Sequence, residues 1–423
     1  MEHKTEGQVT VFHPGRVLNA YQAALALEEG HLLRHFETGS YSLQNGFPAR
    51  FAAKLPTGPR SKLQRELNRR MQKGLSDAHI RSHPFWDTLF SAIARSGVSE
   101  VLANQVMLIR NERFDRTVAS HVLKCRPAAV IGYDSSCLRT FEVCPAAGTL
   151  RILDQVIGHL AVGAPLLQEE QGLHPEWADS IGLHRVDYTV NRCLAEAKQA
   201  DAILAASDYV RATMIQVGIR ASKILQLPYG VDVERFVPRT TAHSGVFRAL
   251  FVGQISQRKG IKYLLEAWKR LKLPNAELVL MGRVAGEGRG LAPYHGLYRH
   301  APSVPYAEVH TYYQSADVFV FPSIHEGSSL AVMEAMASGI PVIATHNSGT
   351  LVRDGQEGFI VPIRDIDAIA QRILQMYNNR DLARQLGRQA RQRVEEFTWK
   401  QYRSRLVNHM ETLLSAREPK TQS

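Results

Sequence analysis

Apolar runs alternating with helix-forming stretches predict an α/β chain of two Rossmann-like domains, each with a doubly wound parallel sheet, facing one another across a cleft. Three observations carry that expectation. The candidate strands are short and rich in β-branched or aromatic residues, as in Val318-Phe319-Val320-Phe321, which suits strands covered on both faces. The alternation runs in two series, separated by the polar stretch Arg239-Thr240-Thr241-Ala242-His243-Ser244-Gly245. At 423 residues the chain exceeds what one ordinary core organises. The expected divisions are 1–238, 239–396 and a closing segment 397–423.

The first series opens with a strand over 9–12 that ends in His13-Pro14-Gly15, followed by an alanine- and leucine-rich helix over 17–28. Residues 40–125 read as largely helical, with few landmarks. Strands are then expected at 128–132, 150–154, 202–207 and 223–227, with helices at 138–146, 190–200 and 208–217. The second series has strands at 247–252, 276–281, 317–321, 341–344 and 359–361. Its helices are expected at 261–271, 306–314, from Leu330 onward, and at 366–378 and 380–395. Ser328 or Ser329 caps the helix that begins at Leu330, and Gly339 with Pro341 ends it. A last amphipathic helix over 402–414 follows Phe397-Thr398-Trp399.

Hydrophobic content of 44% and charged content of 22% are those of a soluble globular enzyme. The first residues, Met1-Glu2-His3-Lys4-Thr5-Glu6, carry no apolar run after a basic one, and no stretch of 18 apolar residues exists, so a cytoplasmic location is expected. Cys125, Cys137, Cys144 and Cys193 lack the spacing of a metal site and are expected as free thiols. Most of the net charge of +11 sits between residues 41 and 130, which hold 15 Lys or Arg against 6 Asp or Glu. Within it, Leu63, Leu67, Met71 and Leu75 recur every four residues among Lys62, Arg65, Arg69, Arg70 and Lys73. That pattern is an amphipathic basic helix, which either packs its leucines on the core or attracts an anionic membrane or a phosphorylated acceptor through residues 60–77. No nucleic-acid reader motif accompanies the charge, so no nucleic-acid partner is expected.

Two motifs carry the chemistry. In His325-Glu326-Gly327-Ser328-Ser329-Leu330-Ala331-Val332-Met333-Glu334, one carboxylate lies in the turn after a strand and the other about one turn into a helix, seven residues intervening. Both reach the space beyond the sheet's carboxyl edge, where α/β folds bind ligands. A partly buried Glu334 needs hydrogen-bond donors, and sugar hydroxyls would supply them. In Gly253-Gln254-Ile255-Ser256-Gln257-Arg258-Lys259-Gly260, two cations stand between a strand and a helix start, an arrangement suited to a diphosphate. Asp365-Ile366-Asp367 has the spacing of metal-dependent transferases but precedes a helix, so Asp365 is read as its cap and no metal ligand is assigned.

From Ala202 to Trp399 these motifs, with Gly230-Val231-Asp232, Pro322-Ser323 and Gly339-Ile340-Pro341-Val342, resemble the GT4 family of retaining glycosyltransferases with the GT-B fold. The resemblance implies that a nucleotide-diphosphate sugar is the donor, that no cofactor or metal takes part, and that the acceptor is a glycan, a lipid-linked sugar or a small molecule held by the first domain. It implies that Glu334 binds the ribose hydroxyls, Glu326 the transferred sugar, and Arg258 and Lys259 the diphosphate. Backbone around Ser328, Ser329 and Leu330 would add donors, while Gly253, Arg283 and Val304 would adjoin the base. For the family's first-domain histidine the candidate is His159, with Asp154 and His13 as rivals. The final helix is expected to cross back onto the first domain. A nucleotide-sugar epimerase or phosphorylase, or a non-catalytic carbohydrate-binding protein on the same scaffold, are the alternative readings.

Overall fold

The computed structural model describes residues 7–43, 71–95, 100–183, 186–240 and 245–416. The first half contributes β1 (Val9–His13), α1 (Leu18–Glu29), β2 (Leu33–Thr38), β3 (Ile80–Ser82), α2 (Pro84–Arg95), α3 (Glu100–Cys125), β4 (Ala129–Tyr133), α4 (Leu138–Ala147), β5 (Leu150–Gln155), α5 (Leu160–Leu173), α6 (Val186–Gln199), β6 (Ala202–Ala205), α7 (Asp208–Gln216) and β7 (Ile224–Gln226). The second contributes β8 (Phe247–Val252), α8 (Ile261–Leu271), β9 (Ala276–Met281), β10 (Arg299–Ala301), α9 (Val309–Gln314), β11 (Val318–Phe321), α10 (Leu330–Ala337), β12 (Val342–Thr345), β13 (Gly358–Val361), α11 (Ile366–Asn378), α12 (Arg380–Val394) and α13 (Trp399–Ser415).

Two separate sheets result, ordered β3-β2-β1-β4-β5-β6-β7 and β10-β9-β8-β11-β12-β13. Every ladder in both is parallel. Parallel strands need crossover helices, and those helices bury both faces, so β6, β11 and β12 are buried at every position. In each sheet the chain works outward from a central strand on one side, then returns to build the other. The switch falls between β1 and β4 in the first sheet and between β8 and β11 in the second. Loops diverge there, leaving a crevice at the carboxyl edge.

The amphipathic basic helix expected around residues 60–77 lies mostly outside the described residues, as do 241–244 of the polar stretch and the tail 417–423. The part that is described, 71–76, is turn rather than helix, because Gly74 sits at φ +92°, which α-helix does not accommodate. Leu75 is nonetheless buried. The helix expected over 306–314 starts later, at Val309, and α3 extends unbroken for 26 residues through a region with no sequence landmarks. Among the described residues all four cysteines are free thiols, and no helix is long and apolar enough to cross a membrane.

The chain passes between the sheets twice, near residues 231–240 and again at 397–398. The two passages touch: Val231 N donates to Phe397 O at 2.9 Å. Arg391 fastens the first of them, its Nη1 donating to the carbonyls of Val233, Phe236 and Ala337 at 3.0, 2.7 and 2.8 Å. Beyond the second passage, α13 lies against α1, with Arg403 paired to Glu29 at 2.7 Å.

Candidate functional site

The second sheet's switch point decides which loops meet. β8 and β11 are neighbours, so the turn after β8, which carries Arg258 and Lys259, abuts the turn after β11, which carries Glu326. The meeting is direct. Arg258 Nη1 lies 3.1 Å from Glu326 Oε2 and donates to the His325 carbonyl at 3.0 Å, and Lys259 Nζ pairs with the same carboxylate oxygen. Lys259 Nζ also lies 4.8 Å above the centre of the Phe321 ring. Gly260, at φ +70°, turns the chain into α8, and a Cβ there would stand 2.0 Å from the Pro322 carbonyl oxygen. Glycine is therefore required for the two loops to close on each other.

Desolvation dominates the electrostatics. Burial brings the Arg258 guanidinium down to about 10, and burial beside Arg258 presses the Lys259 ammonium well below its ordinary range. Two cations stripped of water favour anionic partners strongly, because little solvent screens them. Glu326 supplies one such anion.

Glu334 lies on α10, whose first turn is capped by Ser329; the hydroxyl accepts from Val332 N at 3.4 Å. Its carboxylate is buried and accepts from Tyr306 at 3.0 Å and Tyr313 at 2.8 Å. Burial pushes the carboxyl up to about 7, against the pull of these two hydroxyls. The donors a buried Glu334 requires are thus present within the chain. Sequence reasoning missed both tyrosines, since nothing in the pattern links positions 306 and 313 to 334. The Ser329 amide, expected to face a ligand, donates instead to the Ser348 carbonyl at 3.3 Å; Ser328 is half-buried beside it.

Gly253, Gln254, Arg283 and Val304 line one cleft of about 430 Å³, together with Met281, Gly282 and Ser303. It opens at the carboxyl ends of β8 and β9, on the same sheet edge as the cation pair.

The first domain is seated on this edge. Gly158 N donates to the Glu326 carbonyl at 2.9 Å, and Ser207 Oγ donates to the Gly327 carbonyl at 2.7 Å. A Cβ at Gly327 would lie 1.8 Å from the Val156 carbonyl oxygen, so only glycine permits that approach. The Tyr209 hydroxyl lies 2.8 Å from His325 Nδ1, and burial with the nearby Arg258 holds His325 down at about 4. Further along, Glu170 of α5 is wholly buried in the second domain, accepting from Gln257 at 2.6 Å, Tyr263 at 3.0 Å and Arg364 at 2.5 Å.

The three first-domain candidates differ in placement. His159 has no exposed surface; its Nδ1 caps α5 by accepting from Ala161 N at 3.1 Å, and it follows Gly158 directly. Asp154 is buried at the end of β5, where burial and then Asp134 raise its carboxyl to about 7 and Tyr229 donates at 3.4 Å. His13 ends β1 at the first sheet's switch point, half-buried against the edge of Tyr133, and burial lowers it to about 4. Asp365 caps α11 as expected, accepting from Ala368 N at 2.8 Å.

Residues 233–393, which include the cation pair and both glutamates, match the sequence profile described as Glycosyl transferases group 1. The second half of the chain thus carries the sequence pattern of the glycosyltransferase group 1 family. Its group 1 region is similar to EpsD of Bacillus subtilis (strain 168), 33% identical over 248 residues, 54% of this chain and 64% of that one. It is also similar to the D-inositol 3-phosphate glycosyltransferase of Geodermatophilus obscurus, 34% identical over 236 residues, 49% of this chain and 52% of that one. The chain thus spans between about half and just under two thirds of the length of these relatives. In fold it is similar to the sucrose-phosphate synthase of Thermosynechococcus elongatus, with a TM-score of 0.69 and 19% identity over 97% of this chain and all (100%) of the other. Anabaena Alr3699/HepE, solved in complex with UDP and glucose, gives a TM-score of 0.61 at 14% identity over 96% of this chain and 100% of that one. The two-domain architecture of the chain is therefore the GT-B fold.

Proposed function

We propose that the protein is a retaining, metal-independent glycosyltransferase of the GT4 type, transferring a sugar from a nucleotide-diphosphate donor to an acceptor held by the first domain. The observation that carries this reading is the convergence of Arg258, Lys259 and Glu326 at the β8–β11 switch point, beneath the seat of the first domain. The relatives' names and the UDP and glucose of HepE support the same class of donor.

In this reading the diphosphate competes with Glu326 for the two desolvated cations. As it binds, the carboxylate is released toward the sugar hydroxyls. When the bond from the anomeric carbon to the phosphate oxygen breaks, negative charge grows on the diphosphate, and Arg258 and Lys259 stabilise it without a metal. The base occupies the cleft of Gly253, Arg283 and Val304. The ribose hydroxyls reach Glu334, which shares its lone pairs with Tyr306 and Tyr313. Because the His159 imidazole is wholly enclosed, it acts as a positioning residue, fixing the start of α5 and the Gly158 amide against the Glu326 carbonyl. A cytoplasmic location, and contact of the basic segment 60–77 with an anionic membrane, belong to the same proposal. Sedimentation with anionic vesicles tests that contact.

A thermal-shift screen of UDP-, GDP- and ADP-sugars identifies the donor. Transfer is then measured in Lys259→Ala and Glu326→Ala. Each is expected to lose about 10²–10³-fold in kcat with a smaller change in donor affinity, the size of losing one donor to a developing charge. Near-normal turnover in both variants refutes the proposal.

A further inference from the structure

We infer that Glu37, His83 and His121 form a binding site for a zinc-like divalent transition-metal ion at the β2–β3 margin of the first domain, outside the donor site. The three residues come from separate elements: Glu37 from β2, His83 from the residue after β3, and His121 from α3. One ligand atom of each lies within 4.8 Å of the other two. His121 Nδ1 is 2.8 Å and His83 Nε2 3.1 Å from the same oxygen, Glu37 Oε2. Ligands about 2.0–2.2 Å from a tetrahedral zinc stand roughly 3.3–3.6 Å apart, so small side-chain shifts open the group to coordination distance.

The chemistry of the set favours such an ion over calcium or magnesium. Two imidazoles and one carboxylate are borderline ligands suited to zinc and its first-row neighbours, whereas the hard cations take oxygen ligands. Glu37 is 1% exposed and held in place by its strand, while the two imidazoles are 24% and 28% exposed, leaving an approach for the ion and a fourth position for water. Arg81 Nη1 stands 3.7 Å from the other carboxylate oxygen, Oε1, which leaves Oε2 as the ligand. Backbone already fixes the frame, since His83 N donates to the Thr38 carbonyl at 2.8 Å. A bound ion would pin the edge of the sheet to α3. Its role is structural, because the strands that carry Glu37 and lead to His83 sit on the far side of β1 from the switch-point strand β4.

The test uses the full chain, stripped with chelator and titrated with Zn²⁺ by calorimetry, then with Co²⁺ as a spectroscopic probe. One equivalent is expected to bind, raising the melting temperature and giving the visible bands of tetrahedral Co²⁺. His83→Ala and His121→Ala are each expected to weaken binding about tenfold or more. Glu37→Gln, which keeps the shape, is expected to abolish the Co²⁺ bands while far-ultraviolet circular dichroism stays unchanged. Absence of stoichiometric binding, or binding that survives all three substitutions, overturns the inference and leaves the group as an imidazole–carboxylate clamp.

Discussion

Glu334 shows what a single side chain contributes and where sequence reasoning stops. Its burial was legible from the apolar residues around it, and so was its need for donors. That Tyr306 and Tyr313 meet the need was not, because the pairing depends on α9 and the turn before it packing against α10, which no local pattern encodes. The carboxyl is raised from 4.5 to about 7 by burial. Between those values the folded chain holds a proton that the unfolded chain has lost. The contribution is therefore full below about pH 4.5 and declines as pH rises through about 7. Urea unfolding of wild type and Glu334→Gln at pH 5 and pH 8 should show the wild type losing roughly 2–4 kcal/mol relative to the variant over that span. Parallel pH profiles would contradict the burial argument. The meeting of Arg258, Lys259 and Glu326 was legible for a different reason: each lies in the loop after a strand, and adjacent parallel strands bring their carboxyl-end loops together.

Among the elements, five of the second sheet's six strands were readable, because helices cover both faces and their apolar residues stand out; the edge strand β10, Arg299-His300-Ala301, is too short and polar to show. The first sheet's margin was not. β2, Leu33-Arg34-His35-Phe36-Glu37-Thr38, is half polar and carries none of the continuous apolar signal, and β3 has only three residues. α5 escaped notice because Gly163, Pro165 and Gly172 punctuate it, yet it supplies the carboxylate of Glu170 to the second domain. Glu170→Ala strands Gln257, Tyr263 and Arg364 without their common acceptor, so chemical denaturation is expected to show a loss of about 3–5 kcal/mol. Gly327→Ala drives a methyl against the Val156 carbonyl, and is expected to separate the site's two halves, reducing kcat at least tenfold while the isolated domains keep their helical content. Full activity with an unchanged melting temperature would show that this close approach is dispensable.

At the scale of the molecule, the division into two parallel sheets was predictable from alternation and length. The Glu37, His83 and His121 cluster was not, since residues 37, 83 and 121 share no motif spacing and meet only through the packing of β2, β3 and α3. The proposed reaction relies on guanidinium and ammonium charge, so adding Mg²⁺ or Mn²⁺ is not expected to raise the transfer rate; a strong stimulation would redirect attention to acidic residues of the cleft. The paired passages between the domains have a mechanical corollary. Two strands bonded side by side at Val231 and Phe397 resist torsion but yield to flexure, like the leaf of a door hung on two pins. If the proposed transfer is the activity, opening for product release is expected to be a swing about one axis, returning the Gly158 amide to the Glu326 carbonyl in the same alignment.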